Sequence, residues 1–277
     1  MKERALAHEE ATPKDIEQMR ALLREALEAG AVGFSTGRSD NHRTSEGKET
    51  PAAEASHAEL TGLAQAFQGL SHGVVQMVSD YNLLKGPAEF EAEFDLVEAI
   101  AKASGKSLSL TWLQRDPGSE QFLRIQERVE QAVANGLPLF MQTGARGIGV
   151  LNGLDASFHP FMGFPSYKEV AHLPLAERAA ALRDPARKAR ILSEKSERLA
   201  GDGSSIPPLV DILLAKIDMI SGRMFPLEAN LNYEPSVMES FLVRAKQKGV
   251  TPLDVIYDHL SAGRGEGLIY FPIFNYN

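Results

Sequence analysis

The chain has 277 residues, enough for one large domain or two ordinary ones, and at that length a compact fold hides roughly three quarters of its unfolded surface. With 43% hydrophobic and 24% charged residues it is not collagen, a coiled coil or a disordered chain, and zero cysteines exclude a disulfide scaffold, a thiolate zinc site and a cysteine nucleophile. The 29 Lys and Arg against 37 Asp and Glu leave a net charge of −8, which argues against nucleic acid or an anionic membrane as a general partner.

In chain order, the first element is a helix. Thr12-Pro13 supplies a cap and a first-turn proline, Ile16, Met19, Leu22, Leu23, Ala26 and Leu27 form one apolar stripe, and Gly30 stops it. Ala31-Val32-Gly33-Phe34-Ser35 reads as a short buried strand, and the polar stretch from Thr36 to Ala55 as a long, functional loop. Ser56-His57-Ala58-Glu59 has the form of a capping box opening a helix to Leu70. A strand over 73–79, a helix over 87–104, a strand over 107–113, a helix over 119–135 and a strand over 138–143 follow. Three successive β-α crossovers imply parallel strands with helices outside.

Residues 144–205 break this rhythm and read as a helical insertion, with helices starting near Pro174 and at Asp184-Pro185. Beyond it come an apolar helix near 209–217, a strand at 223–227, helices announced by Ser236 and Thr251, and a last strand at 267–272. The expected fold is α/β, a single partial (β/α) TIM-type barrel with a helical insertion. Its roughly six strands fall short of the eight that closure requires.

Gly33-Phe34-Ser35-Thr36-Gly37 matches the G-x-S-x-G nucleophile elbow, and Asp218 and His259 follow in the order of a hydrolase triad. A loop, not a helix, follows Ser35, so a plain strand-end turn is the favoured alternative. The glycine-rich run Gly144–Gly153 resembles a phosphate cradle, but its spacing departs from the dinucleotide fingerprint and a structural turn is preferred. The seven histidines contain neither H-x-H nor H-E-x-x-H, so no metal site declares itself locally.

Strand ends suggest binding residues instead. Gln76 alternates with Val75 and Met77 and points away from the helices, and Gln142 and Arg146 end the fourth strand, where β/α folds place their sites. His42 lies in the long polar loop between Asp40 and Arg43, and His159 lies beside aromatics and Pro160 in a position suited to a pocket.

The stretches His8–Pro13 and Glu28–Arg38, the run Phe158-His159-Pro160-Phe161, the segment 171–178 and the tail 270–276 together resemble the D-aminoacylase, or N-acyl-D-amino-acid deacylase, branch of the amidohydrolase superfamily. The resemblance implies a β/α barrel with zinc, a cofactor that activates water against an N-acyl amide, and a small-molecule amide as substrate. It also implies an H-x-H strand before this segment and a metal-binding aspartate after it, so the chain is expected to be a central piece. Where the family places two further metal-binding histidines, this chain has Gln76-Met77 and Trp112-Leu113, which are poor zinc ligands. Ser35, Thr36 and Arg38 match the family motif and are expected to shape a loop and touch substrate. Together with His42, Gln76, Gln142, Arg146 and His159 they are the candidate substrate-binding residues; no catalytic residue or metal ligand is assigned.

The alternative functions are a metal-free binding protein on the same scaffold and a serine hydrolase using Ser35. No run reaches the ~18–20 apolar residues of a membrane span, and Met1–Glu10 lacks a secretion signal, so a cytoplasmic location is expected. Open strand edges predict a homo-oligomer or a marginally stable piece.

Overall fold

The computed structural model describes residues 1–277 except 2, 40, 41, 46, 83, 84, 116–119, 202–205, 207, 229 and 277. Asp40 beside His42, and Ser119 at the expected start of a helix, therefore lie outside the described residues. The chain divides into two compact units, Met1–Thr44 with Glu49–Arg146, and Gly147–Tyr276 with Ser45–Lys48.

In the first unit, helices α1 (Glu3–Leu6) and α2 (Pro13–Glu28) lead into β1 (Gly33–Arg38). Then α3 (His57–Ala64), β2 (Val74–Ser79), α4 (Pro87–Ser104), β3 (Ser107–Thr111), α5 (Gln121–Ala134) and β4 (Leu139–Gln142) alternate. The helix starts follow the sequence signals. The Thr12 hydroxyl accepts the Asp15 N–H at 3.2 Å, while the Asp15 carboxylate accepts the Thr12 hydroxyl at 2.6 Å and the Thr12 N–H at 2.9 Å; the bond from the hydroxyl first, then that from the backbone, hold the Asp15 carboxyl down at about 2. The Ser56 hydroxyl accepts the Glu59 N–H at the start of α3.

The four strands are parallel and lie in sequence order, β1-β2-β3-β4. Strand periodicity puts Val75, Met77, Leu108, Leu110 and Leu139 on one face, where they are buried with Leu27, Leu60, Phe94, Val97 and Ile125 from the helices. Each such side chain contributes about 1.5–3 kcal/mol by leaving water. Between α4 and α5 the Arg128 guanidinium bonds to Glu91, to Asp95 at 2.8 Å and to Glu98 at 3.0 Å, and covers the Phe94 ring at 4.7 Å.

Strand β1 extends to Arg38, so Thr36 and Arg38 are strand residues rather than part of the polar loop expected from Thr36 onward. Pairing with β2 through Gly37↔Val78 and Arg38↔Ser79 holds this extension in place.

The second unit begins with β5 (Ile148–Gly153), followed by α6 (Pro165–Lys168), α7 (Leu175–Leu182), α8 (Pro185–Ser193), α9 (Pro208–Leu214), α10 (Ile217–Ile220), β6 (Phe225–Leu227), α11 (Phe241–Lys248), α12 (Pro252–Ser261) and β7 (Leu268–Phe274). Its sheet is antiparallel, in the order β5-β7-β6. Much of the run read as a glycine-rich turn or phosphate loop is thus the strand β5. A Cβ on Gly149 would lie 2.4 Å from the Tyr270 ring, and one on Gly147 2.5 Å from the Tyr276 ring. The glycines make room for aromatic rings, not for phosphate.

Helices α6–α8 share a core with the later segments. Phe161, Phe164, Tyr167, Leu182 and Ile191 pack with Phe241, Ile256, Tyr257 and Ile269, and the Tyr257 hydroxyl donates to the Leu182 carbonyl at 2.7 Å.

Candidate functional site

The face of the parallel sheet opposite its helices carries Ser35, Gln76, Ser109 and Gln142, all partly or fully exposed. The Ser35 hydroxyl donates to Gln76 Oε1 at 2.7 Å and the Ser109 hydroxyl donates to Gln142 Oε1 at 3.2 Å. These pairs bridge β1 to β2 and β3 to β4 in the same sense, each hydroxyl giving its proton to a carboxamide oxygen. The two NH₂ groups are thereby left as donors for a carbonyl or carboxylate. Ser35 sits in mid-strand, not on a sharp turn, and its hydroxyl meets an amide rather than an imidazole. The elbow geometry of a serine hydrolase is absent there.

The glycines of the Gly33–Gly37 run have packing reasons. A Cβ on Gly33 would lie 2.0 Å from the Val74 carbonyl oxygen, and one on Gly37 3.0 Å from His42 Nδ1. The exposed His42 therefore lies over the C-terminal end of β1, its N–H bonded to the Ser39 carbonyl at 3.2 Å.

Thr36 and Arg38 project to the helical side instead. Thr36 is buried. Arg38 Nε donates to Glu93 Oε1 at 2.6 Å and Nη1 donates to the Ala55 carbonyl at 2.7 Å. The same Glu93 oxygen accepts the Ser79 hydroxyl at 3.0 Å, and the Ser79 hydroxyl in turn accepts the Tyr81 N–H at 2.9 Å. Arg115 Nη2 donates to the Ser79 carbonyl at 3.0 Å and lies 3.8 Å from Asp80. Burial pushes the Tyr81 phenol well up and the Arg115 guanidinium down. Sequence reasoning missed Glu93, Ser79, Tyr81 and Arg115. Glu93 left one signal: it falls on the apolar stripe Phe90, Phe94, Val97, where a charge needs a partner.

Arg146 follows β4 and is exposed, its backbone N–H donating to the Gly144 carbonyl at 2.7 Å. His159 belongs to the second unit. Its Nδ1 accepts the Phe161 N–H at 3.2 Å and its Nε2 lies 2.8 Å from the Tyr167 hydroxyl, which also accepts from Arg178 at 3.3 Å. Burial and then the Arg178 charge push His159 down to about 3, so it is a neutral core imidazole with both nitrogens occupied. His259, named for the triad, places Nε2 2.7 Å from the Leu268 carbonyl, which fixes that nitrogen as a donor. The structure thus brings Ser35 to Gln76 and His42 to Gly37; Thr36 and Arg38 face the helices.

The zinc implied by the resemblance does not fit the strand ends. Met77 is wholly buried in the core, Gln76 is tied to Ser35, and Trp112 Nε1 donates to the Phe122 carbonyl at 2.8 Å. Among the described residues, one group of His and carboxylate side chains, His8, Glu49 and Glu54, has the donor types and proximity to hold a metal ion. No helix among the described residues is long and apolar enough to cross a membrane.

No family model matches the sequence, and none of the curated proteins matches it. Among solved structures, the chain is similar to a D-aminoacylase variant in complex with copper chloride, at 14% identity and a TM-score of 0.40. It is also similar to a D-aminoacylase whose binuclear metal centre is described by one-metal activation and second-metal attenuation, and to the D-aminoacylase that defines a novel subset of amidohydrolases, each at 15% identity and a TM-score of 0.39. In all three cases the similarity covers 95% of this chain and 39% of the other, so the chain spans about two fifths of the length of the D-aminoacylase structures it matches.

Proposed function

We propose that this chain is part of an amidohydrolase-type β/α barrel hydrolase acting on N-acyl amino acids or related amides. The observation that carries the reading is the four-strand parallel sheet in sequence order, its helices packed against one face, with the Gly33–Gly37 run on its first strand. In a β/α barrel the face opposite the helices lines the interior, and the strand C-termini form the site. The test is release of free amine from a panel of N-acyl-D-amino acids and related amides with added zinc, by the chain and by the longest reading frame that contains it. No hydrolysis by either would overturn the proposal.

A second reading, a metal-free binding protein on the same scaffold, is favoured by the Ser35–Gln76 and Ser109–Gln142 bonds, which commit both hydroxyls as donors and leave carboxamide N–H groups to hold a ligand. Retention of an N-acyl amino acid in excess chelator, weakened by Gln76→Ala, supports it. Stoichiometric zinc that persists in a His8→Ala variant would count against it.

A further inference from the structure

We propose that His8, Glu49 and Glu54 form a binding site for a divalent transition-metal ion of the zinc class, independent of the activity proposed above. The three ligand atoms come from separate segments and lie within 4.8 Å of one another, with His8 Nδ1 3.5 Å from Glu54 Oε2. One imidazole and two carboxylates suit zinc or nickel; calcium and magnesium prefer sites made of oxygen alone.

The backbone on which these groups stand is anchored. Arg4 pairs with Glu9 at 2.8 Å and with Asp15 of α2 at 3.1 Å, on either side of His8. The His8 N–H itself donates to the Ala5 carbonyl. Glu54 ends the short turn Pro51–Glu54, next to Ala55, which is buried and whose carbonyl is held by Arg38. Glu49 is fixed by an antiparallel bridge to Arg43. A tetrahedral zinc with bonds of about 2.05 Å spaces its ligands by roughly 3.4 Å, so atoms that lie within 4.8 Å of one another close by no more than about 1.4 Å to take the ion. His8 and Glu54 are exposed and can supply that movement by rotation.

The Arg43 guanidinium, 3.2 Å from Glu49 Oε1, is the resident competitor for the site. An ion that displaces it joins residue 8 to residues 49 and 54, closing loops of some forty residues in the folded state alone, so it stabilises the fold by mass action.

The experiment is calorimetric titration and thermal melting of the whole chain, stripped with a chelator and then given zinc chloride. The expected result is one equivalent bound with a rise in Tm, both retained in millimolar magnesium and calcium. His8→Ala and Glu54→Gln each weaken binding at least tenfold and abolish the rise, and Arg43→Gln strengthens it. Because His8 and Glu54 are exposed, the melting curves in chelator are expected to be unchanged by their substitution. Absence of saturable binding, binding that survives His8→Ala, or displacement of zinc by calcium would each overturn the proposal.

Discussion

Arg38 and Glu93 lie fifty-five residues apart in sequence and 2.6 Å apart in space, at the C-terminal end of β1 and on the buried face of α4. With Ser79 donating to the same carboxylate oxygen, this pair joins two strands to the helix that covers them. Removing one partner strands the other charge in a largely dry place. Glu93→Ala is therefore expected to cost about 3–5 kcal/mol, read as a lower urea midpoint. Arg38→Lys, which keeps the charge but cannot reproduce the fork toward Glu93 and the Ala55 carbonyl, is expected to retain only part of that stability. A Glu93→Ala midpoint equal to that of the parent chain would refute this account of the pair.

The two glycines of the Gly33–Gly37 run should respond differently to alanine. At Gly33 the new methyl meets the Val74 backbone carbonyl, which cannot turn aside without breaking β1–β2 pairing. At Gly37 it meets the tip of the exposed His42 ring, which can. Gly33→Ala is expected to destabilise by about 1–3 kcal/mol or more and Gly37→Ala by well under 1 kcal/mol. Thermal melts of the pair check this, and equal losses would contradict it.

Ser35 is expected to be chemically quiet. Its proton goes to Gln76 Oε1 and no base receives it, so a serine-directed fluorophosphonate should not label the residue and Ser35→Ala should leave stability within ~0.5 kcal/mol. Mass spectrometry of the treated protein decides the point; a phosphonylated Ser35 peptide would restore the hydrolase elbow.

Acid lability follows from His159. Its folded-state value near 3 lies below the ordinary 6.5, so between those two values the unfolded chain binds the extra proton. The stability is complete above 6.5 and is lost as pH falls toward 3, by at most about 1.4 kcal/mol per pH unit for this one group. His259 is shifted the same way, by burial first, and adds to the slope. Denaturation midpoints of a His159→Gln variant measured between pH 7 and pH 4 should fall less steeply than those of the parent chain, and a slope unchanged from the parent's would remove His159 from the explanation.

The parallel unit was legible in the sequence where each helix carried its own local instructions. Thr12-Pro13, Ser56 and the Phe90–Phe94–Val97 stripe each act within a few residues, and the helices start and face as those signals dictate. What escaped acts across the chain. The glycines of β5 look like a loop until Tyr270 and Tyr276, more than a hundred residues later, occupy the space a side chain would fill. Arg38 reads as a ligand contact until Glu93 is seen to hold it, and His159 reads as a pocket residue until Tyr167 and the Phe161 N–H close over both its nitrogens. The G-x-S-x-G pattern, read in preference as a strand-end turn, is strand throughout for a related reason, since its glycines answer to Val74 and His42.

The chain has one tryptophan, Trp112, whose indole N–H reaches across from the end of β3 to the Phe122 carbonyl in α5, with the two rings 6.0 Å apart. Its emission is consequently an optical signal that arises within the parallel unit. Comparing that fluorescence with circular dichroism during a melt separates the two halves without a label, because a shared midpoint would mean that they come apart as one.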